Sequence, residues 1–114
     1  MTVSENKNGF TMVDHTTYDV VLPLLSTTAQ SVFMRIYRQT IGWDKTTDKI
    51  ADSQFMKKCN IKRRETINSA IRDLVKLDLI TVNGQGKGVI KEYGIKWDAI
   101  REIKDRYDDG EFEA

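Results

Sequence analysis

Two long stretches of the chain repeat apolar residues at helical spacing. Ala29, Val32, Phe33, Ile36, Tyr37 and Ile41 fall three and four apart behind Ser26 and Thr27, which offer N-caps. They predict an amphipathic helix that Gly42 stops in the left-handed conformation. Ile67, Ala70, Ile71, Leu74 and Leu77 repeat the spacing over 63–78, leaving Arg64, Glu65, Asn68, Ser69, Arg72 and Lys76 on the outer face. Two shorter helices are predicted. Asp14 is placed to cap one over 15–25, with Tyr18, Val21, Leu22 and Leu25 on one side and Pro23 weakening its second half. Asp52 is placed to cap another over 53–59, with Phe55, Met56 and Cys59 inward, ending near Asn60, a residue type that tolerates positive φ. The intervening 43–51 reads as a loop leading into a short strand near Lys49 and Ile50. Beyond the second long helix, 79–82 and 89–95 are β-prone and flank NGQGKG, so they predict a β-hairpin with a flexible tip and an interruption at Gly94. A last helix over 97–107 sets Trp97, Ile100, Ile103, Lys104 and Tyr107 on one side. Residues 1–9 are polar and without period, a disordered arm ahead of a domain over 10–96; an acidic helix and frayed tail fill 97–114.

With 114 residues, the chain has room for one domain, and its 39% hydrophobic and 31% charged content is that of a globular protein. No apolar run nears the roughly 20 residues that span a bilayer, and the N-terminus lacks the apolar core of a signal peptide. A cytoplasmic protein without membrane contact is expected. One cysteine, Cys59, excludes an internal disulfide, and Cys59 with the single histidine, His15, cannot complete a structural zinc site. No metal or other cofactor is expected. The net charge of +1 conceals a dipolar chain: residues 52–96 hold ten basic and five acidic groups, whereas 97–114 hold three and seven. Five cations fall within eight residues, at Lys57, Lys58, Lys62, Arg63 and Arg64, a density suited to phosphates.

A short helix, a turn, a longer helix with a polar outer face and a glycine-rich hairpin together read as a winged helix-turn-helix, mainly α with a small β-hairpin. In that motif the second helix enters the major groove and the first crosses the backbone. The expected base-reading residues are Arg64, Glu65, Asn68, Ser69 and Arg72, since arginine pairs with guanine, asparagine with adenine and glutamate with the cytosine amino group. Ser53, Gln54, Lys57, Lys58, Lys62 and Arg63 flank the turn and are expected on phosphates, where they position without specifying. Asn83, Gln85, Lys87 and Lys91 are the wing candidates. No enzyme is expected. GQGKG lacks the spacing of a phosphate-binding P-loop, no GxGxxG occurs, and no nucleophile stands beside His15. Cys59, Trp43, Trp97, Phe33 and Tyr37 read as packing residues.

The chain resembles the amino-terminal winged-helix domain of phage replication protein O, an origin-binding initiator. The resemblance covers about 10–95, through FTMVDHTTYDVVLPL, STTAQSVFMRIYRQTIGWDKTTDKIADSQF, RRETINSAIRDLVKLDLI and the hairpin. The TIGW-DK loop is its most particular part; the RRxTI helix is shared with many regulators. It implies sequence-specific double-stranded DNA binding at a phage or plasmid origin, inside the bacterial host and near its nucleoid. It also implies recruitment of the host replicative helicase or its loader by a carboxy-terminal region. This chain stops at Ala114, as an excised domain or a short relative would. Lys62 and Arg63 depart from the family's small hydroxyl cap, with one extra residue before Ile67. The alternatives are a regulator on an operator and a protein-docking winged helix. A homodimer, reading two half-sites, stays open. The segment 97–114 is read either as a spacer helix held off DNA by its charge or as a terminal helix packing Trp97 and Ile100 on the core.

Overall fold

A computed structural model describes residues 9–86 and 88–110; the arm 1–8, Lys87 and the tail 111–114 lie outside the described residues. The first long apolar repeat forms α1, Thr27–Thr40, whose Ser26 hydroxyl accepts from the Ala29 amide at 3.2 Å. Its inward face buries Ala29, Val32, Phe33, Ile36 and Tyr37 at the centre of the core. The helix tightens into a 3₁₀ turn, Ile41–Trp43, and the left-handed residue is Asp44 (φ 56°), not Gly42. Gly42 answers a different need: a Cβ there would lie 2.7 Å from Arg38 Nη1 and 2.8 Å from Thr11 Oγ1. Both neighbours are side-chain atoms, so a larger residue there would make Arg38 and Thr11 shift.

Ahead of α1, Asp14 caps the first helical segment as expected, accepting from the Thr17 amide at 2.9 Å and the Thr17 hydroxyl at 2.7 Å. That segment is not a regular α-helix. It runs as a π turn, Thr17–Val21, and then a 3₁₀ turn, Leu22–Leu24, with Pro23 near its start. The wider turn shifts the face. Thr17, Val20 and Val21 point inward, and Tyr18, expected inside, is 67% exposed.

Three short strands form one antiparallel sheet in the order β1-β3-β2: β1 Thr47–Lys49, β2 Ile80–Asn83 and β3 Glu92–Ile95. The hairpin register pairs Ile80 with Ile95, Thr81 with Gly94, Val82 with Tyr93 and Asn83 with Glu92. On the other side Thr47 faces Gly94 and Lys49 faces Glu92, which makes β3 the central strand. Gly94 therefore belongs to the strand and does not interrupt it. A Cβ at Gly94 would meet the Thr46 carbonyl oxygen at 2.8 Å and Thr81 Oγ1 at 2.9 Å, so only glycine lets three strands close here. Val89 and Ile90 stay outside the ladder and are exposed.

The remaining helices are α2 Asp52–Lys58, α3 Arg64–Lys76 and α4 Trp97–Asp108. Phe55 of α2 meets Tyr93 of β3 edge-on, with centroids 5.2 Å apart. Ile67, Ala70 and Leu74 of α3 are buried, while Leu77, expected inward, caps the helix and is exposed. On α4, Ile100 is buried and Trp97 packs edge-on against Tyr37 at 5.7 Å, but Tyr107 turns to solvent. Trp43 is not a core residue either: it is half exposed beneath the Arg38 guanidinium, 5.2 Å from the ring centroid. Among the described residues four α-helices around a small antiparallel sheet, α2 and α3 joined by a tight turn, make a mainly α, winged-helix-like fold. Among the described residues no helix is long and apolar enough to cross a membrane.

Candidate nucleic-acid interface

The local chemistry of α2 and its turn sets the geometry of the exposed face. Ala51, not Asp52, is the N-cap of α2, and Gln54 Oε1 accepts from the Ala51 amide at 2.8 Å. Gln54 thus serves the helix with its oxygen and keeps its amide N–H groups for other partners. The helix ends as Asn60 takes φ 54°, and the Ile61 amide donates to the Met56 carbonyl at 2.9 Å. Lys57, Lys58, Lys62 and Arg63 surround this turn, all exposed. Ser53 and Gln54 are exposed on the first turn of α2.

Arg63 is the N-cap of α3 in extended conformation, with no side-chain cap. Arg64 therefore opens the helix, which settles where it starts despite the missing hydroxyl residue. Opposite the buried Ile67, Ala70 and Leu74, the helix presents Glu65, Ser69 and Arg72 to solvent, with Asn68 half-buried beside them. Arg64 lies on the flank toward the wing, and Arg64, Asn68 and Arg72 align one turn apart. Two ion pairs cross the start of α3: Arg63 Nε with Glu65 Oε2 at 3.4 Å, and Arg64 Nε with Asp52 Oδ2 at 3.3 Å. Both are open to water, so each contributes little to stability.

Two of the grooves beside α3 are lined by candidate residues. One, of about 400 Å³, runs between it and the start of α1 and is lined by Ser26, Thr28, Glu65, Ser69 and Asp73. The other, of about 260 Å³, separates α2 and α3 from the wing and is lined by Ser53, Arg64, Val89, Ile90 and Lys91. The hairpin tip holds Gly84, Gly86 and Gly88 at positive φ, a path that few other residues would follow. Asn83, Gln85 and Lys91 are exposed there, and the Lys91 carbonyl accepts from the Ile50 amide at 3.1 Å, tying the wing to the base of α2. Lys87, the fourth wing candidate, lies outside the described residues.

The structure thus brings Ser53, Arg64 and Lys91 around one groove and Arg63, Glu65 and Ser69 around the other, while Lys57, Lys58 and Lys62 are exposed about the turn between the two helices. Three further residues beside these candidates escape sequence reasoning. Val89 and Ile90 were read as strand, yet they are 50% and 52% exposed beside the groove. Asp52 was read only as a cap; no local signal announces a contact with Arg64 twelve positions on. Of the residues judged chemically idle, Cys59 is half-buried and donates to the Ser31 carbonyl at 3.5 Å. Burial pushes its thiol pKa up, only partly opposed by Arg35, as befits packing. His15 is exposed, away from any cluster of metal-ligating groups; none exists among the described residues.

Fold and face together define a winged-helix-like protein whose second motif helix opens outward and is ringed by cations. The chain belongs to the bacteriophage replication protein O family, whose model matches residues 2–97. Its function is therefore replication-related. No curated protein and no solved structure gives a significant match.

Proposed function

We propose that the protein binds double-stranded DNA in a sequence-specific way at a phage or plasmid replication origin, as an initiator. One observation carries the reading: the outer face of α3, with Arg64, Glu65, Ser69 and Arg72 exposed and Asn68 at its edge, is free of packing by the described chain. A helix of 13 residues with one buried stripe and one open polar stripe has the shape that a major groove admits. Arg64, Asn68 and Arg72 supply the paired donors and acceptors for base edges, with Glu65 and Ser69 as further contacts. Ser53, Gln54, Lys57, Lys58, Lys62 and Arg63 engage phosphates on either side, and Asn83, Gln85 and Lys91 reach the neighbouring backbone from the wing.

Selection of duplexes from a randomised library by the purified protein tests the reading. The expected winner is a motif found as clustered copies within the phage's own replication region. One inverted pair beside a promoter would instead indicate a regulator. Absence of any complex with duplex DNA at modest ionic strength would overturn DNA binding itself and favour a docking module.

A further inference from the structure

Among the described cations of this face, Arg64 is the one whose ion pair reaches another helix. Its Nε lies 3.3 Å from Asp52 Oδ2, and its side chain stays 66% exposed while that of Asp52 is 36% exposed. The first residue of α2, Asp52 has its backbone held by that helix, and its charge is felt by the buried Tyr93 phenol. The nearby pair of Arg63 and Glu65 differs: both side chains are more than three-quarters exposed.

We propose that Asp52 is a specificity-determining residue, which grips the inner edge of the Arg64 guanidinium and aims its outer fork at a guanine. The proposal rests on the reading of α3 as the helix that enters the major groove. A guanidinium has five N–H donors, and engagement through Nε leaves Nη donors for a second, planar contact. Bidentate pairing with guanine O6 and N7 needs two such donors in a fixed orientation, which a free arginine must order on binding. Even a weak, water-open pair biases the guanidinium toward this orientation beforehand. The carboxylate also offsets the local positive charge, so Arg64 loses worth as a phosphate contact, which depends on charge, and keeps its worth toward a neutral, directional base edge. Ser53 and Lys91, in the same groove, remain available to the backbone that a phosphate-bound Arg64 would otherwise hold.

Asp52→Asn separates the two roles because they predict opposite signs. Removal of a carboxylate facing DNA, acting through charge alone, strengthens binding to every duplex. If Asp52 aims Arg64, the preference for the library-selected duplex over a scrambled duplex of the same composition falls about tenfold, at one G·C pair, while affinity for the scrambled duplex holds or rises. Arg64→Lys, which keeps the charge and loses the fork, is expected to lose the same preference, and Asp52→Asn should add nothing in that background. Urea unfolding confirms that both variants are folded, and Arg64→Lys reads the proposal independently if Asp52→Asn is not. A preference retained in either folded variant overturns the proposal. Should the wild type itself prefer no duplex, the functional reading fails first and the proposal falls with it.

Discussion

Arg72 and Lys57 are both exposed cations, but one stands on the open stripe of α3 and the other at the end of α2. Arg72→Ala or Asn68→Ala is expected to cost about 1–3 kcal/mol on the selected site and little on a scrambled duplex. Lys57→Ala should weaken both alike and lower the salt slope by about 1. Fluorescence anisotropy on the two duplexes distinguishes these outcomes; equal losses from Arg72→Ala on both would reject base readout. Asp14 makes a separate, structural prediction. Burial pushes its carboxyl up, but hydrogen bonds from the Thr17 hydroxyl and amide and from the Tyr37 hydroxyl outweigh this and hold it below the ordinary 3.8. A lowered folded pKa stabilises fully above the unfolded value and less as pH falls through the folded one. Asp14→Ala should therefore cost about 1 kcal/mol near neutral pH, and the gap from wild type should shrink in acid, by urea unfolding. Asp14 was legible as a cap because capping is local. Its bond to Tyr37, 2.8 Å long and 23 positions away, was not.

At the scale of elements, α1 and α3 lay open in the sequence since a buried stripe repeats every three to four residues whatever the rest of the chain does. The segment before α1 did not, because an α-period reading cannot foresee a π turn, and one inserted residue rotates every side chain after it. Gly42 and Gly94 escape the local reading for a related reason: a local pattern makes both breakers, whereas each sits against atoms distant in sequence, Thr11 for Gly42 and the Thr46 carbonyl for Gly94. The wing yields the prediction for this scale. Val89 and Ile90 lie outside the ladder and half exposed, so replacing both with serine should change stability by no more than about 0.5 kcal/mol. The same change should weaken DNA binding, since apolar wing residues pack against groove walls and sugars. Unaltered affinity with unaltered stability would remove the wing tip from the interface.

For the whole molecule, the basic excess lies in the segment that forms α2, α3 and the wing, whereas α4, with four acidic and three basic residues, packs Trp97 and Ile100 onto the core. Stability should also have an alkaline limit. Burial, together with the Asp14 charge and hydrogen bond for Tyr37 and the Asp52 charge for Tyr93, pushes both phenols up to about 12. A raised folded pKa leaves stability intact below the unfolded value of 10.0 and erodes it as pH rises toward about 12. Urea midpoints measured across that interval should fall steadily, and less steeply in Tyr93→Phe. A flat profile would mean that the phenols ionise as freely in the folded protein as in the unfolded chain.

Residue order alone dictated the helical stripes, the Asp14 and Ser26 caps, the turn at Asn60 and the concentration of cations around it. Each depends on neighbours within one or two turns of chain. Long-range packing decided that Asp44 and not Gly42 takes the left-handed turn, that β1 joins the hairpin through Gly94, that Tyr18 faces water, and that Asp52 meets Arg64. Those outcomes belong to atoms brought close by folding, and a periodicity or a cap carries no information about partners that distant in sequence.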